Sequence, residues 1–143
     1  MGKALGRALA LLARRAYTEA ELRRKLAGYP EAEVEEALGR LRGWGYLDDR
    51  AYAEAFVRSR RHRFGPHRLR RELLRRGVDE GIVEAVLGEE EGEVDRAVRL
   101  LARRWDRYRD RRERAVRFLL GRGFSLEAAL QAYRRLQEGG DEG

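Results

Sequence analysis

Few residues of this chain have the types and spacing that catalysis or metal binding requires. The sequence contains no cysteine and two histidines, His62 and His67, which lie among arginines and lack the carboxylate or thiolate neighbours of a metal site. The pair Asp48-Asp49 could serve acid–base chemistry. It follows a glycine-rich break and precedes an apolar helical pattern, however, and this position favours helix capping. We therefore expect a protein that is not an enzyme and that has no catalytic residues, metal or cofactor.

Arginine is the residue type whose distribution points to a function. The segment from Arg58 to Arg76 contains nine arginines and a single acidic residue, Glu72. A basic segment of this kind can contact nucleic-acid phosphates or an acidic protein groove. Its candidate contact residues are Arg58, Arg60, Arg61, Arg63, Arg68, Arg71 and Arg75.

The second half of this segment separates into two faces when it is placed on a helix. With about 100° between successive helical residues, Leu69, Leu73 and Leu74 fall on one side. Arg68, Arg71 and Arg75 fall on the other. The leucines are predicted to be buried. The three arginines are predicted to form an exposed row.

A second basic segment runs from Arg103 to Arg117 and contains eight arginines and three acidic residues. Trp105 and Tyr108 lie within it, and aromatic side chains among arginines can stack on nucleic-acid bases. Both aromatics also continue the helical apolar pattern that begins at Val94, which favours packing in the core. The candidate contact residues of this segment are Arg103, Arg104 and Arg107.

These segments belong to a chain that repeats a helical unit. Residues 22–26, with the sequence LRRKL, recur as LRREL at residues 69–73, and residues 73–78 align with residues 119–124. Apolar positions three and four residues apart, interrupted at glycines, predict nine helices in three groups of three, and no segment has the alternation of a strand. The predicted N-terminal caps are Thr18 in a capping box with Glu21, then Asp48 or Asp49, Asp79, Asp110 and Ser125.

The predicted fold is all-α, with three tandem three-helix repeats that form an elongated, curved array. The repeats comprise residues 1–47, 48–88 and 89–137, and residues 138–143 are expected to be a frayed tail. The middle repeat is the most basic. Trp44 and Tyr46 are predicted to pack in the joint between the first two repeats.

Composition narrows the class of partner. The net charge is +7 and 40% of the residues are charged, which favours an anionic partner for a folded protein. Lys3 and Lys25 are the only lysines. A codon bias toward arginine could explain that preference, so the number of arginines alone is weak evidence of binding.

No apolar run approaches the roughly 20 residues of a membrane span, and the first residues lack a signal-cleavage pattern. A cytoplasmic protein without a membrane partner is expected.

Several motifs together resemble those of the RecX family of regulators of the RecA recombinase, over nearly the whole chain. The third repeat carries the weakest match. The residues that carry the resemblance are Tyr17-Thr18, Glu21-Leu22, Lys25-Leu26, Gly45-Tyr46-Leu47-Asp48-Asp49, Tyr52-Ala53, Gly65-Pro66, Leu69, Glu72-Leu73, Arg76-Gly77-Val78 and Gly123-Phe124.

The resemblance implies three tandem three-helix repeats and an inhibitor rather than an enzyme. A member of this family would lie in the groove of the RecA filament on single-stranded DNA. There it would limit filament extension, ATP hydrolysis, strand exchange and repressor cleavage. The implied partners are the RecA filament and single-stranded DNA, contacted directly or through RecA, and the chain is expected to be a monomer.

Two other functions fit the same residues. One is a stand-alone DNA-binding module, because each repeat joins two helices at a glycine turn as a helix-turn-helix does. The other is a structural helical adaptor whose arginine content reflects codon bias alone.

Overall fold

The structure, a computed structural model, describes residues 2–141 of the chain and the side chains of residues 2–139. All regular secondary structure in this range is helical. The prediction of an all-α protein is confirmed. No helix within this range is long and apolar enough to cross a membrane. The ten helices are α1 (Lys3–Leu12), α2 (Glu19–Lys25), α3 (Glu31–Gly43), α4 (Asp49–Arg60), α5 (Pro66–Arg75), α6 (Glu80–Gly88), α7 (Glu93–Ala102), α8 (Trp105–Tyr108), α9 (Arg112–Gly121) and α10 (Leu126–Asp141).

Four of the five predicted caps lie at helix starts, among them Asp79, whose carboxylate accepts a hydrogen bond from the Gly81 amide (2.9 Å) at the start of α6. The Thr18 hydroxyl accepts a hydrogen bond from the Glu21 amide (3.1 Å), and the Glu21 carboxylate accepts one from the Thr18 amide (3.0 Å), which completes the predicted capping box. Asp48 caps α4 and Ser125 caps α10. The prediction for Asp110 is wrong, because α9 begins after Arg111 and has no side-chain cap.

The chain divides into two compact units. One consists of the chain up to Phe56 together with Leu73–Val86, and the other consists of Val57–Glu72 together with the chain from Leu87 onward. Each unit therefore combines a terminal repeat with part of the predicted middle repeat.

The first unit depends on a close approach between α2 and the turn that follows α5. Its core contains apolar residues of α1, α2 and α3, with Leu22, Leu38 and Leu41 fully buried. Beside this core the Thr18 hydroxyl donates a hydrogen bond to the Arg76 carbonyl (2.6 Å). Gly77 has φ +87°, and a Cβ atom there would clash with the Ala20 side chain.

The second unit has an equivalent approach between the start of α5 and the turn that follows α9. The Gly65 amide donates to the Arg122 carbonyl (2.7 Å), and the His67 amide donates to the Gly123 carbonyl (3.1 Å). Gly123 has φ +97°, and a Cβ atom there would lie 2.8 Å from the Arg68 nitrogen. Glycine is therefore required at residue 123 both for its backbone conformation and for space.

The helix predicted from Val94 to Tyr108 is two helices, α7 and α8, so the chain has ten helices rather than nine over the described residues. The break brings Trp105 to within 5.3 Å of the Tyr133 ring, and the Tyr133 hydroxyl donates to the Arg109 carbonyl (2.5 Å). Both aromatics predicted to pack in this core, Trp105 and Tyr108, contact it. At the other end α10 reaches Asp141, beyond the predicted end at residue 137, and residues 142–143 lie outside the described range.

Three apolar side chains predicted to be buried or packed, Leu74, Trp44 and Tyr46, are exposed, and so is Leu120 on α9. Leu74 is 42% exposed and Leu120 is 43% exposed, because their neighbours Leu73 and Leu119 occupy the core and the next helical residue points about 100° away. Trp44 and Tyr46 do not pack in a joint, since they are 50% and 61% exposed. Their rings contact each other edge to face, with centroids 6.2 Å apart.

Replacing Gly123 by alanine should destabilise the protein by about 2 kcal/mol or more, because a left-handed backbone and a backbone clash are penalised together. Gly121→Ala is the matched control, since Gly121 ends α9 with open space around its Cα. Chemical denaturation followed by circular dichroism measures both variants. Equal stability of the two would contradict the role assigned to the Gly123 turn.

Candidate protein and nucleic-acid interface

The α5 helix presents an exposed face with two arginines and one leucine. Arg71 and Arg75 lie one turn apart, are exposed, and make no ion pair with any described side chain. Leu74 is exposed between them in the sequence. Pro66 occupies the first helical position, as predicted, and Leu69 and Leu73 anchor the buried side. We call Arg71, Leu74 and Arg75 the α5 face.

Arg68, the third arginine of the predicted row, belongs to the packing of the second unit instead. It is half-buried, its Nε lies 3.3 Å from the Glu72 carboxylate, and its guanidinium lies 4.0 Å from the Phe64 ring centroid. Its backbone lies against Gly123. A substitution of Arg68 would therefore change packing as well as charge.

The arginines in the last turn of α4 and in the turn that follows it differ in how many contacts their side chains make. Arg58 is exposed, and Arg60 donates to the Ser59 hydroxyl (2.9 Å). Arg61 lies 3.5 Å from the Glu90 carboxylate. Arg63 is exposed, with its guanidinium 5.5 Å from the Phe64 ring.

The side chain of Arg96, on α7, binds the backbone of the turn that follows α4. Its guanidinium donates to the carbonyl oxygens of Phe64 (2.7 Å) and Arg61 (3.2 Å), and the side chain is buried. Burial lowers the pKa of Arg96, and the carboxylates of Glu90, Glu91 and Glu93 oppose that effect. The sequence offered no signal for this role, because an arginine in a basic helix is ordinarily exposed.

The acidic loop before α7 neutralises part of the basic surface. Glu90 faces Arg61, and Glu91 lies 2.8 Å from Arg99. His67 is exposed 3.7 Å from Glu93, and His62 is exposed as well. The described residues contain no group of three or more histidine and acidic side chains that could hold a metal ion.

The candidate contact residues Arg103, Arg104 and Arg107, which lie in or next to α8, have three different surroundings. Arg104 is half-buried with its guanidinium 5.0 Å from the Phe118 ring, and Arg103 is exposed beside Arg99 and the acidic loop.

Arg107 lines an open cleft of about 1070 Å³, which we call the α8–α9 cleft. The residues that line this cleft are Asp106, Arg107, Tyr108, Asp110, Arg111, Arg114, Arg117 and Phe118. Sequence reasoning did not single out Arg111, Arg114 and Arg117, although their spacing of three residues was a signal for a shared helical face.

Asp48 and Asp49 cap two different helices. The Asp48 carboxylate accepts from the Ala51 amide (3.0 Å) at the start of α4. The Asp49 carboxylate accepts from the Glu19 amide (2.9 Å) at the start of α2. Burial raises the pKa of Asp49, the acidic groups of Glu19, Asp48 and Glu21 raise it further, and the hydrogen bond from the Glu19 amide opposes the rise.

Comparisons with known proteins agree in one family. A family model described as the first three-helix domain of RecX matches residues 4–41, and a model of the second three-helix domain matches residues 48–87. The chain is 55% identical over 140 residues to "Regulatory protein RecX" of Thermus thermophilus, covering 97% of this chain and 96% of the relative. It is 44% identical over 131 residues to the protein of the same description from Pseudomonas entomophila, covering 84% and 83%.

Solved structures give the same result. The crystal structure of RecX from Lactobacillus salivarius superposes with a TM-score of 0.85 at 25% sequence identity. The match covers 95% of this chain and 96% of that one.

The raised pKa of Asp49 gives a prediction about pH. The folded state disfavours the charged form of the Asp49 carboxylate. The contribution of Asp49 to stability is therefore fully present below the pKa that this carboxyl has in the unfolded chain. It is lost as the pH rises through the raised pKa of the folded state. Asp49→Asn cannot ionise and keeps an oxygen for the Glu19 amide. Its melting temperature at neutral pH should equal or exceed that of the wild type, with the difference disappearing in acid.

Asp49→Ala is the control, because it also removes the charge but leaves the Glu19 amide without its acceptor. It should lose about 1 kcal/mol of stability at neutral pH. Thermal melts from acid to neutral pH compare the three proteins. A loss of stability in the asparagine variant as large as that in the alanine variant would contradict this assignment.

Proposed function

The chain belongs to the RecX family of regulatory proteins, and on that premise we propose that it is a negative regulator of the RecA recombinase. In this proposal it binds the filament that RecA forms on single-stranded DNA. It limits filament extension, ATP hydrolysis and strand exchange. Because a regulator of recombination acts where the chromosome is, we infer a cytoplasmic location.

The observation that carries this proposal is a surface pattern that recurs with the repeat. Arg71 and Leu74 on α5 occupy the same repeat positions as Arg117 and Leu120 on α9. All four side chains are exposed, and neither arginine has an ion-pair partner among the described residues. A surface that repeats along the chain suits a partner built of identical subunits, such as a protein filament.

The composition of the α5 face favours a protein partner. Arginine is enriched in protein interfaces and often contributes strongly to affinity, whereas lysine is depleted. An exposed leucine beside two unpaired arginines combines apolar contact with charge recognition. The division into three repeats and the elongated, curved array stay predictions, and with them the expectation that a single chain contacts several RecA subunits.

A stand-alone DNA-binding module is the second candidate. It is favoured by the net charge of +7 and by the exposed arginines of α5 and of the α8–α9 cleft. Tight binding of particular duplex sequences in the absence of RecA would favour it. Weak binding that depends strongly on salt fits a filament regulator.

The proposal predicts that the wild-type protein inhibits the ATPase activity of RecA on single-stranded DNA at stoichiometric concentrations. Arg71→Glu with Arg75→Glu should raise the concentration needed for half-inhibition at least about tenfold, which corresponds to about 1.4 kcal/mol. The fold should be unaffected, because both side chains are exposed and unpaired.

Arg7→Glu with Arg14→Glu is the matched control, since it reverses two exposed arginines outside α5. The concentration of this control needed for half-inhibition should stay within about threefold of the wild-type value. That is well under the tenfold change that about 1.4 kcal/mol produces. No inhibition by the wild type would overturn the proposed function. Equal losses in the two double variants would remove the α5 face from it.

A further inference from the structure

We propose that the α8–α9 cleft binds the sugar–phosphate backbone of single-stranded nucleic acid. This inference rests on the proposed function and assigns its nucleic-acid contact to the third repeat, whereas the α5 face meets protein.

The arginines of the cleft are available to a ligand. Arg107, Arg111, Arg114 and Arg117 are exposed, and none of them forms an ion pair or side-chain hydrogen bond with the residues that the structure describes. The lining also contains Asp106 and Asp110, so the four arginines outnumber the carboxylates by two. Some arginines elsewhere in the same unit are neutralised, as Arg99 is by Glu91 and Arg135 is by Asp95. The cleft therefore carries an excess of positive charge without an internal partner.

The spacing of these arginines suits a polymeric anion. Arg111 directly precedes α9, and Arg114 and Arg117 follow at intervals of three residues. Helical residues three apart lie on the same face with their Cβ atoms about 5–6 Å apart. Arg107 adds a fourth charge from α8. A row of guanidinium groups along a concave surface can contact successive phosphates of one strand.

The cleft is held in place before any ligand binds. The Arg111 amide donates to the Tyr108 carbonyl (2.9 Å), which closes the turn between α8 and α9. The Tyr108 and Phe118 rings stack with centroids 5.4 Å apart. The Tyr133 hydroxyl, on α10, fixes the Arg109 carbonyl of the same turn. Little backbone ordering is therefore required on binding, which reduces the entropic cost of association.

The aromatic side chains favour a single strand over the alternatives. Tyr108 and Phe118, which are half-buried and stacked on each other, line the cleft beside the arginines with their exposed parts, and sites for single-stranded nucleic acids combine a basic groove with aromatic rings. The cleft lining contains no exposed leucine, unlike the α5 face. An acidic protein segment would form ion pairs with the arginines but would make no use of the aromatic rings. It is the alternative ligand that the test distinguishes.

The test is the affinity of the purified protein for fluorescein-labelled oligothymidine, measured by fluorescence anisotropy without RecA at about 50 and 200 mM salt. Arg111→Gln with Arg114→Gln, which leaves Arg117 of the repeated surface pattern intact, should weaken binding at least about tenfold at the lower salt concentration. The slope of log K against log salt should become shallower by about 1.4, since each phosphate contact of a single strand contributes about 0.7.

Arg112→Gln with Arg134→Gln is the matched control, because it also removes two exposed arginines of the second unit but neither lines the cleft. It should change the affinity by less than about threefold, as expected of charges that make no phosphate contact. Melting temperatures of all variants should match wild type, since the substituted side chains have no partners to lose.

Three outcomes would overturn the proposal: no detectable binding of the oligonucleotide by wild type at low salt, equal losses in the two double variants, or an unchanged salt slope in the cleft variant. A cleft variant that loses binding of labelled poly-L-glutamate but retains oligonucleotide binding would also overturn it, in favour of an acidic protein segment. The assay contains no RecA, so its failure is distinct from failure of the proposed function, which the ATPase titration tests.

Discussion

The close approach of a helix start to a glycine turn, made once in each compact unit, is the contact on which the rest of the structure depends. In the first unit the start of α2 lies against the turn at Gly77, and in the second the start of α5 lies against the turn at Gly123. Both glycines have positive φ, and neither position has room for a Cβ atom. Because Gly77 and Gly123 have no side chain, the backbone at each turn comes close enough to hydrogen-bond with the neighbouring predicted repeat. Each of these contacts fixes a helix start of one predicted repeat against the glycine turn of the next, as neighbours in a helical repeat array do.

This constraint also divides the arginines into two groups. Those next to the glycine turns are used in packing: Arg76 donates to the Tyr52 hydroxyl (2.6 Å), and Arg122 lies over the Phe118 ring (5.0 Å). Arg68 is held in the same way by Phe64 and Glu72. The arginines of the α5 face and of the α8–α9 cleft lie on the opposite sides of these helices from the core and have no such partners among the described residues. Function is therefore proposed where arginines are unpaired rather than where they are most numerous.

The sequence predicted the helical class, the repeat, most caps and the glycine turns, because each of these follows from local chemistry at a fixed spacing. It did not predict that Leu74 and Leu120 are exposed, since a helical wheel gives a direction but not the width of the surface that neighbouring helices cover. The exposure of Trp44 and Tyr46 was missed because aromatic residues are usually buried. Of the candidate contacts, Arg58, Arg71, Arg75, Arg103 and Arg107 are exposed and make no ion pair within the described part of the chain. Arg68 instead takes a structural role that depends on tertiary neighbours, as Arg96 does. The α8–α9 cleft required the break between α7 and α8, which no local pattern indicated.

The central claim is that separate arginine surfaces serve protein and nucleic acid. The most direct measurement compares the binding of this protein to preformed RecA filaments on single-stranded DNA with its binding to the same DNA without RecA. The account predicts tighter binding to the filament, and it predicts that reversing the charges of the α5 face removes this advantage while leaving the affinity for bare DNA unchanged. Equal affinity of the wild type for filament and bare DNA would contradict it. A loss of both affinities in the α5 variant would do so as well.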